Sequence, residues 1–229
     1  MSLIVGCGKE INLDLAKVTE FVKEQLQDEK TGHDFYHGQR VAHLASKMYL
    51  QDNPAAHKDS RMVAIIEAAG YLHDTIDEKI CADPDQVLAS IKELLPQAGF
   101  TALEVKDILF TIQHMSFSAN IEHHYHLPVS GEYVQDADRI ESLGAIGIAR
   151  AFTYGGAHGN VIYDPRIKPQ KLVSHDQYRK HTETTINHFY EKLFHLADLM
   201  NTVGGKKEAQ KRTEFMRDYV KEFMSEWNV

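Results

Sequence analysis

One apolar segment, residues 61–74, constrains the fold of this chain more than any other. Glu67 is its only charged residue between positions 63 and 72, so the segment predicts a helix that is apolar on nearly every face and therefore buried. Either Asp59 or Ser60 can cap the start of this helix. A chain with such a helix must surround it with other apolar surfaces.

The buried helix ends in two polar residues, His73 and Asp74, and a second carboxylate follows at Asp77. Burial of an unpaired charge is costly, so these groups need a partner, which is either a metal ion or a cluster of Arg and Lys. The His-Asp dipeptide also occurs at 33–34 and 175–176, but only the pair at 73–74 follows a buried helix. This setting makes His73 and Asp74 candidate metal ligands.

The rest of the chain also has helical periodicity, without convincing strand alternation, and the fold class is therefore predicted to be all-α. The predicted helices cover about 15–26, 34–52, 61–74, 84–95, 101–112, 136–148, 182–200 and 206–227, with loops at about 116–135 and 153–180. We expect a single domain over residues 1–229, with its core at about 15–200 and the last helix packed on that core.

Composition narrows the class of partner. The formal net charge of −8 argues against general affinity for DNA, RNA or an anionic membrane, but it leaves room for a small phosphorylated substrate in a local cationic pocket. Two cysteines, Cys7 and Cys81, without a CxxC motif argue against a disulfide framework and against a thiolate zinc site. No apolar run reaches the length of a membrane span and no signal peptide is recognisable, so a cytoplasmic location is expected.

His37 lies just inside the second predicted helix, and Arg40 shares its face three residues later. An imidazole beside a guanidinium suits a metal ion next to an anion, with Arg40 holding phosphate oxygens. Asp34 could cap this helix or could orient the His37 ring.

Asp136 and Asp138 stand two residues apart at the start of another predicted helix. Side chains at that spacing point about 200° apart, so only one of them is expected to face a metal. We favour Asp138 as the ligand and Asp136 as a helix cap, although the reverse assignment stays open.

Two imidazoles and two carboxylates, from His37, His73, Asp74 and Asp138, form a donor set suited to one divalent ion such as Mn, Mg, Ni or Fe. Asp77 lies one helical turn past Asp74 and could act as general base or acid on a water at that ion. Further histidines at 114, 123, 124 and 126 are candidate ligands of a second ion, but the pair 123–124 falls on a predicted loop.

Together these residues resemble the HD superfamily of metal-dependent phosphohydrolases, whose pattern is a histidine, a later His-Asp and a distant aspartate. The resemblance is close to a bacterial subgroup over about residues 15–227. Its further motifs stand here as Gly32-His33-Asp34, Gln135 to Arg139 and Asp198 to Thr202.

The resemblance implies a compact all-helical HD fold, one divalent metal ion and hydrolysis of phosphoester or phosphoanhydride bonds. Within the subgroup it implies pyrophosphohydrolysis of nucleoside triphosphates. By the same resemblance, Arg40, Asp77 and Lys79 are phosphate or water contacts with catalytic roles, and His114 and Ser116 belong to the wall of the substrate pocket.

Two alternatives stay open: a phosphomonoesterase of nucleoside monophosphates, and a metal-dependent module that senses a nucleotide without cleaving it. The last predicted helix carries aromatic residues at 215, 219, 223 and 227. This aromatic face could pack within the chain or between two chains, so a homodimer is a further expectation.

Overall fold

Side chains placed just before each helix set where the helices begin. The structure, a computed structural model, describes residues 13–30, 32–58, 60–77, 80–120, 123–170 and 184–228. In it the Asp34 carboxylate accepts a hydrogen bond from the backbone N–H of His37, and Ser60 accepts one from Val63. Asp34 therefore caps the second helix, which is one of the two roles expected for it, and Ser60 is the residue of the pair 59–60 that caps the third.

The described residues form nine α-helices and no β-strand, which confirms the all-α class. The helices are α1 Leu15–Gln25, α2 Phe35–Asp52, α3 Arg61–Leu72, α4 Pro84–Gln97, α5 Ala102–His114, α6 Val129–Glu141, α7 Gly144–Ala157, α8 Thr185–Glu191 and α9 Val203–Trp227. Short 3-10 segments lie at Ser118–Asn120 and Leu193–Leu199. No helix in this part of the chain is long and apolar enough to span a bilayer.

The predicted loop over 116–135 ends too late, because α6 already begins at Val129 after an extended Pro128. Gly131 reads as a loop residue in the sequence, yet it lies inside the helix for a packing reason. A Cβ atom at this position would lie 2.5 Å from Oγ1 of Thr111 on α5, so glycine allows the two helices to approach. Tertiary contact overrides the local signal here.

The single helix predicted over about 136–148 is two helices. Gly144, with a φ of +73°, follows the end of α6 and redirects the chain into α7, which continues to Ala157 and so into the predicted loop 153–180. Residues 171–180 of that loop, and 182–183 of the helix predicted after it, lie outside the described residues.

The predicted helix over 182–200 is the short α8 followed by a 3-10 segment. The last helix begins at Val203, since the Thr202 side chain accepts a hydrogen bond from Gly205 N–H. Its aromatic face packs partly within the chain: Tyr219 stacks on Phe189, whereas Phe215 is 53% exposed. The homodimer stays a prediction.

Helix α3 is the centre of the core, as its apolar run predicts. Its side chains from Ile66 to Leu72 are buried except for Glu67, and helices α1, α2, α5 and α6 pack around it. The packing against α2 is close: a Cβ atom at Gly70 would lie 2.6 Å from the Cα atom of Ala42. Only glycine at position 70 permits this approach of the two backbones.

A charged pair joins the start of α3 to the start of α5. Arg61 donates two hydrogen bonds to the Glu104 carboxylate, at 2.7 and 2.5 Å, and Glu104 completes a capping box with Thr101. The Arg61 guanidinium, against the opposing effect of burial and with help from Thr101, lowers the pKa of Glu104 from 4.5 to about 2. Folding therefore favours the ionised carboxylate.

We predict that Glu104→Gln lowers the free energy of unfolding at pH 7 by about 1 kcal/mol, the usual scale for a pair whose arginine is partly exposed. Because the folded pKa lies below the unfolded one, the charge stabilises the protein fully above pH about 4.5. The difference between wild type and variant should therefore shrink as the pH falls from about 4.5 towards 2.

Urea unfolding at several pH values measures this effect. Glu93→Gln on the exposed face of α4 is the matched control and should leave the free energy of unfolding unchanged. A Glu104→Gln difference that is constant down to pH 2 would contradict the prediction.

Candidate metal centre

His37, in the first turn of α2, is fully buried. Its Nε2 atom lies 3.4 Å from Oδ2 of Asp74 and 3.4 Å from Oδ1 of Asp138. Capping by Asp34 fixes the turn from which the ring projects. The imidazole therefore meets carboxylates from two other parts of the chain.

His73 stands at the C-terminal end of α3 and faces the same carboxylates. Its Nδ1–H donates a hydrogen bond to the Gly70 carbonyl at 2.8 Å. Its Nε2 atom lies 3.2 Å from Oδ1 of Asp74 and 3.6 Å from Oδ1 of Asp138. The centroids of the His37 and His73 rings are 5.1 Å apart.

The hydrogen bonding of His73 tests whether this cluster fits a metal ion. A carbonyl oxygen can only accept, so Nδ1 holds the proton of a neutral His73 ring and Nε2 presents a lone pair. That Nε2 atom is buried and has no hydrogen-bond partner among the described residues. A lone pair that faces carboxylate oxygens is repulsive unless a proton or a metal cation lies between them, and two imidazoles with two carboxylates are a donor set that fits a divalent ion.

Two overlapping groups in the described part of the chain have ligand atoms within 4.8 Å of one another. One group contains His37, His73 and Asp138, and the other contains His33, His37 and Asp74. The four sequence-predicted ligands thus come together in one cluster, and His33 joins them.

The electrostatics of the cluster favour positive charge at its centre. Burial would raise the pKa of the Asp74 carboxyl, but His73 and His33 beside it outweigh burial and hold that pKa well below its usual range. For Asp138, burial is likewise outweighed by the His37 and His73 imidazoles that face it, and the pKa of its carboxyl is also well below the usual range. Both carboxyl groups are therefore anionic and available to a cation.

The two aspartates of α6 have different surroundings. Asp138 is partly exposed and faces the two imidazoles. Asp136 is fully buried and accepts hydrogen bonds from the backbone N–H groups of Asn201 and Thr202, both at 2.8 Å. Because α6 starts at Val129, the prediction that Asp136 caps this helix is wrong. The carboxylate instead accepts hydrogen bonds from the segment that leads into α9.

Glu141 forms the outer support of His37. Its Oε2 atom lies 3.8 Å from Nδ1 of His37 and accepts a hydrogen bond from Arg40 Nε at 2.5 Å. Burial opposes ionisation, but His37 and Arg40 lower the pKa of Glu141 to about 2. A carboxylate behind a ligand imidazole orients the ring. The contact of Arg40 with phosphate oxygens stays a prediction, since its Nε already binds Glu141.

His33 and Arg150, like Glu141, are residues near the cluster that sequence reasoning missed. His33 Nδ1–H donates to Oδ2 of Asp74 at 2.9 Å, and Nη2 of Arg150 lies 3.4 Å from His33 Nδ1. The spacing of His33 from His37, one helical turn across a helix start, was a signal that could have found His33. Arg150 lies on a different helix and has no local signal.

The remaining predicted site residues have other surroundings. Asp77 follows the cluster, with its N–H bound to the Asp74 carbonyl, and Lys79 lies outside the described residues. His114 donates to the Phe110 carbonyl and stacks on that ring, and the Ser116 hydroxyl accepts from the backbone at 119. The roles of Asp77, Lys79, His114 and Ser116 stay predictions.

Relatives of similar length exist among known proteins, although no family model matches the chain. The uncharacterised protein YpgQ of Bacillus subtilis is 32% identical over 210 residues, which are 90% of each chain. A crystal structure of YpgQ in complex with ADP has a TM-score of 0.70, 30% identity and coverage of 93% of this chain and 94% of that one.

Two further crystal structures are similar over nearly the whole chain. A protein from Lactobacillus plantarum has a TM-score of 0.80 and 40% identity, over 94% of this chain and 97% of that chain. An HD-superfamily hydrolase from Bacillus thuringiensis has a TM-score of 0.69 and 36% identity, with the same two coverages. The likeness thus includes the helices that hold the cluster as well as the C-terminal helix.

We predict that replacement of Asp138 impairs metal binding, whereas replacement of Asp136 impairs stability. Asp138→Asn should weaken Mn binding by at least about 100-fold, since even outer partners of ligands contribute 10- to 100-fold, and should leave the protein folded. Asp136→Asn puts an NH2 group against one of the backbone N–H groups at 201 and 202, and should cost about 2 kcal/mol of stability while metal binding persists.

Calorimetric titration with Mn and urea unfolding of both variants check this pair, each variant being the control of the other. Loss of Mn binding in the folded Asp136→Asn protein with retention in Asp138→Asn would reverse the assignment.

Proposed function

This chain belongs to the HD superfamily of hydrolases, and from that premise we propose that it is a nucleoside triphosphate pyrophosphohydrolase. Membership of this family supports a general assignment: a metal-dependent enzyme that hydrolyses phosphoester or phosphoanhydride bonds. The observation that supports metal dependence most is the buried Nε2 atom of His73, which faces two carboxylates without a hydrogen-bond partner in the described residues. The ADP complex of YpgQ supports a nucleotide as the substrate class.

The residues that would hold the ion are His37, His73, Asp74 and Asp138. Two imidazoles with two carboxylates suit Mn, Mg, Ni or Fe, and we propose one ion, with Mn as the first to test. When bound, a divalent ion polarises a phosphoryl oxygen and lowers the pKa of water.

We propose that the chain's own residues then direct the attack of a water molecule on the α-phosphorus. The water oxygen bonds to that phosphorus, the bond from the phosphorus to the oxygen bridging to the β-phosphate breaks, and pyrophosphate leaves. Asp77 accepts the proton of the water. Arg40 and Lys79 stabilise the negative charge that develops on the phosphoryl oxygens, and His114 and Ser116 form part of the pocket wall.

Outer residues would keep the ligands in place. The Gly70 carbonyl fixes the tautomer of His73, Glu141 lies behind His37, and His33 donates to Asp74. These three contacts orient the donor atoms before any substrate arrives, which reduces the reorganisation that catalysis requires.

A cytoplasmic location also stays a prediction from the sequence.

We predict that the wild-type protein with Mn converts nucleoside triphosphates to monophosphate and pyrophosphate in equal amounts. Asp74→Ala should lose bound metal and lower kcat by at least about 100-fold, because a metal ion contributes several kcal/mol to transition-state stabilisation. Asp218→Ala, an exposed carboxylate on α9, is the control and should retain both properties.

A screen of nucleotides against several divalent ions, with both phosphate products quantified and metal content measured, checks the proposal. Orthophosphate released from nucleoside monophosphates would identify a phosphomonoesterase instead. Nucleotide recovered intact after long incubation with each ion would identify a sensing module. Full activity of Asp74→Ala with normal metal content would contradict the assignment of this cluster.

A further inference from the structure

Arg150, on α7, is a cation at the edge of the metal cluster that the mechanism above does not use. Its Nη2 atom lies 3.4 Å from Nδ1 of His33 and 3.5 Å from Nε2 of His37. Its position brings a fixed positive charge beside two of the residues grouped around Asp74.

Neither neighbouring nitrogen is a good acceptor for Arg150. Nδ1 of a neutral His33 ring uses its proton to donate to Asp74, so it has no lone pair for the guanidinium. Nε2 of His37 faces Asp74 and Asp138 and belongs to both groups of candidate ligand atoms. Nη2 therefore lies near two ring nitrogens whose polar contacts are with the carboxylates, and it makes no strong hydrogen bond to either.

The other terminal nitrogen of Arg150, Nη1, is buried and has no hydrogen-bond partner among the described residues. Other arginines near the site differ, since Arg40 and Arg212 both approach the Glu141 carboxylate. A buried guanidinium N–H without an acceptor is unfavourable by itself. An anionic oxygen placed at this edge of the cluster would satisfy it.

The fold holds the Arg150 side chain in this position. Gly32, just before α2, has a φ of +100°, and a Cβ atom there would lie 3.3 Å from Cγ and 3.4 Å from Nε of Arg150. Glycine is favoured both by the backbone angle and by this close contact. The turn at Gly32 thus packs along the stem of Arg150 and directs its planar end towards the histidines.

We propose that Arg150 binds the substrate's phosphate chain, with Nη1 and Nη2 donating to two oxygens of the phosphoryl group that lies at the metal cluster. This inference rests on the proposed function only in requiring a phosphorylated substrate. The forked, planar guanidinium matches two phosphate oxygens, whereas a lysine offers a single point of charge. Because Glu141 already balances Arg40, Arg150 supplies positive charge that no described carboxylate pairs with.

The test is a binding experiment that does not depend on turnover. Inorganic orthophosphate and the non-cleavable analogue α,β-methylene ATP are titrated into the full-length protein at one saturating Mn concentration. We expect Arg150→Gln to weaken binding of both probes by about tenfold or more, and Arg150→Lys to lose less, since it keeps the charge but not the fork.

Two controls define the result. Arg166→Gln removes an equal charge from an exposed arginine paired with Asp164 and should bind both probes as the wild type does. Mn affinity, measured without probe, should not fall in any variant, and melting curves of Arg150→Gln and Arg150→Lys show whether each is folded. If Arg150→Gln does not fold, Arg150→Lys decides.

Unchanged probe binding in a folded Arg150 variant overturns the proposal, and so does loss of Mn affinity, which would make Arg150 a support of the ligands. The outcome is separable from the proposed function. If the wild type releases orthophosphate instead of pyrophosphate while Arg150→Gln still binds orthophosphate weakly, the triphosphate activity fails and the role of Arg150 stands. If pyrophosphate is released but probe binding is unchanged, only the role of Arg150 fails.

Discussion

The close approach of α2 and α3 is the contact on which the rest of the site depends. At Gly70 a side chain would overlap the backbone of Ala42 on α2, and the glycine that allows this contact also offers its carbonyl to His73. On the other helix Gly38, whose Cβ would lie 3.2 Å from a backbone oxygen of α3, directly follows His37. The same backbone contact therefore sets both the distance between the helices and the 5.1 Å separation of the two imidazole rings.

The two aspartates of α6 face opposite sides of the helix, one towards the candidate metal ligands and the other towards the chain before α9. Residues two apart on a helix point to nearly opposite sides, so Asp138 can face the imidazoles only while Asp136 faces away. The buried Asp136 carboxylate needs strong donors, and burial does raise its pKa, against hydrogen bonds from Asn201 and Thr202. Those donors belong to the chain just before α9. The polar group that the site geometry forces into the interior thus becomes the anchor of the C-terminal helix.

Much of this arrangement was readable in the sequence because its signals are local. Helix caps, the apolar run of α3 and the position of His73 at its end each depend on residues within a few positions of one another. The start of α6 was missed because Gly131 is there for contact with Thr111 on another helix. Glu141 and Arg150 were missed for the same reason: their partners are distant in sequence, and neither periodicity nor a short motif encodes such contacts.

Glu141 explains why the C-terminal helix belongs to the site rather than being an appendage of it. Its carboxylate lies between Arg40 of α2 and Arg212 of α9, and it faces His37 from the side opposite the carboxylate cluster. Arg212 also donates to the Ile140 carbonyl at the end of α6. A shift of α9 would therefore move the charge behind a candidate metal ligand. A chain without α9 would keep Glu141 but would lose the Arg212 contact that holds its carboxylate behind His37.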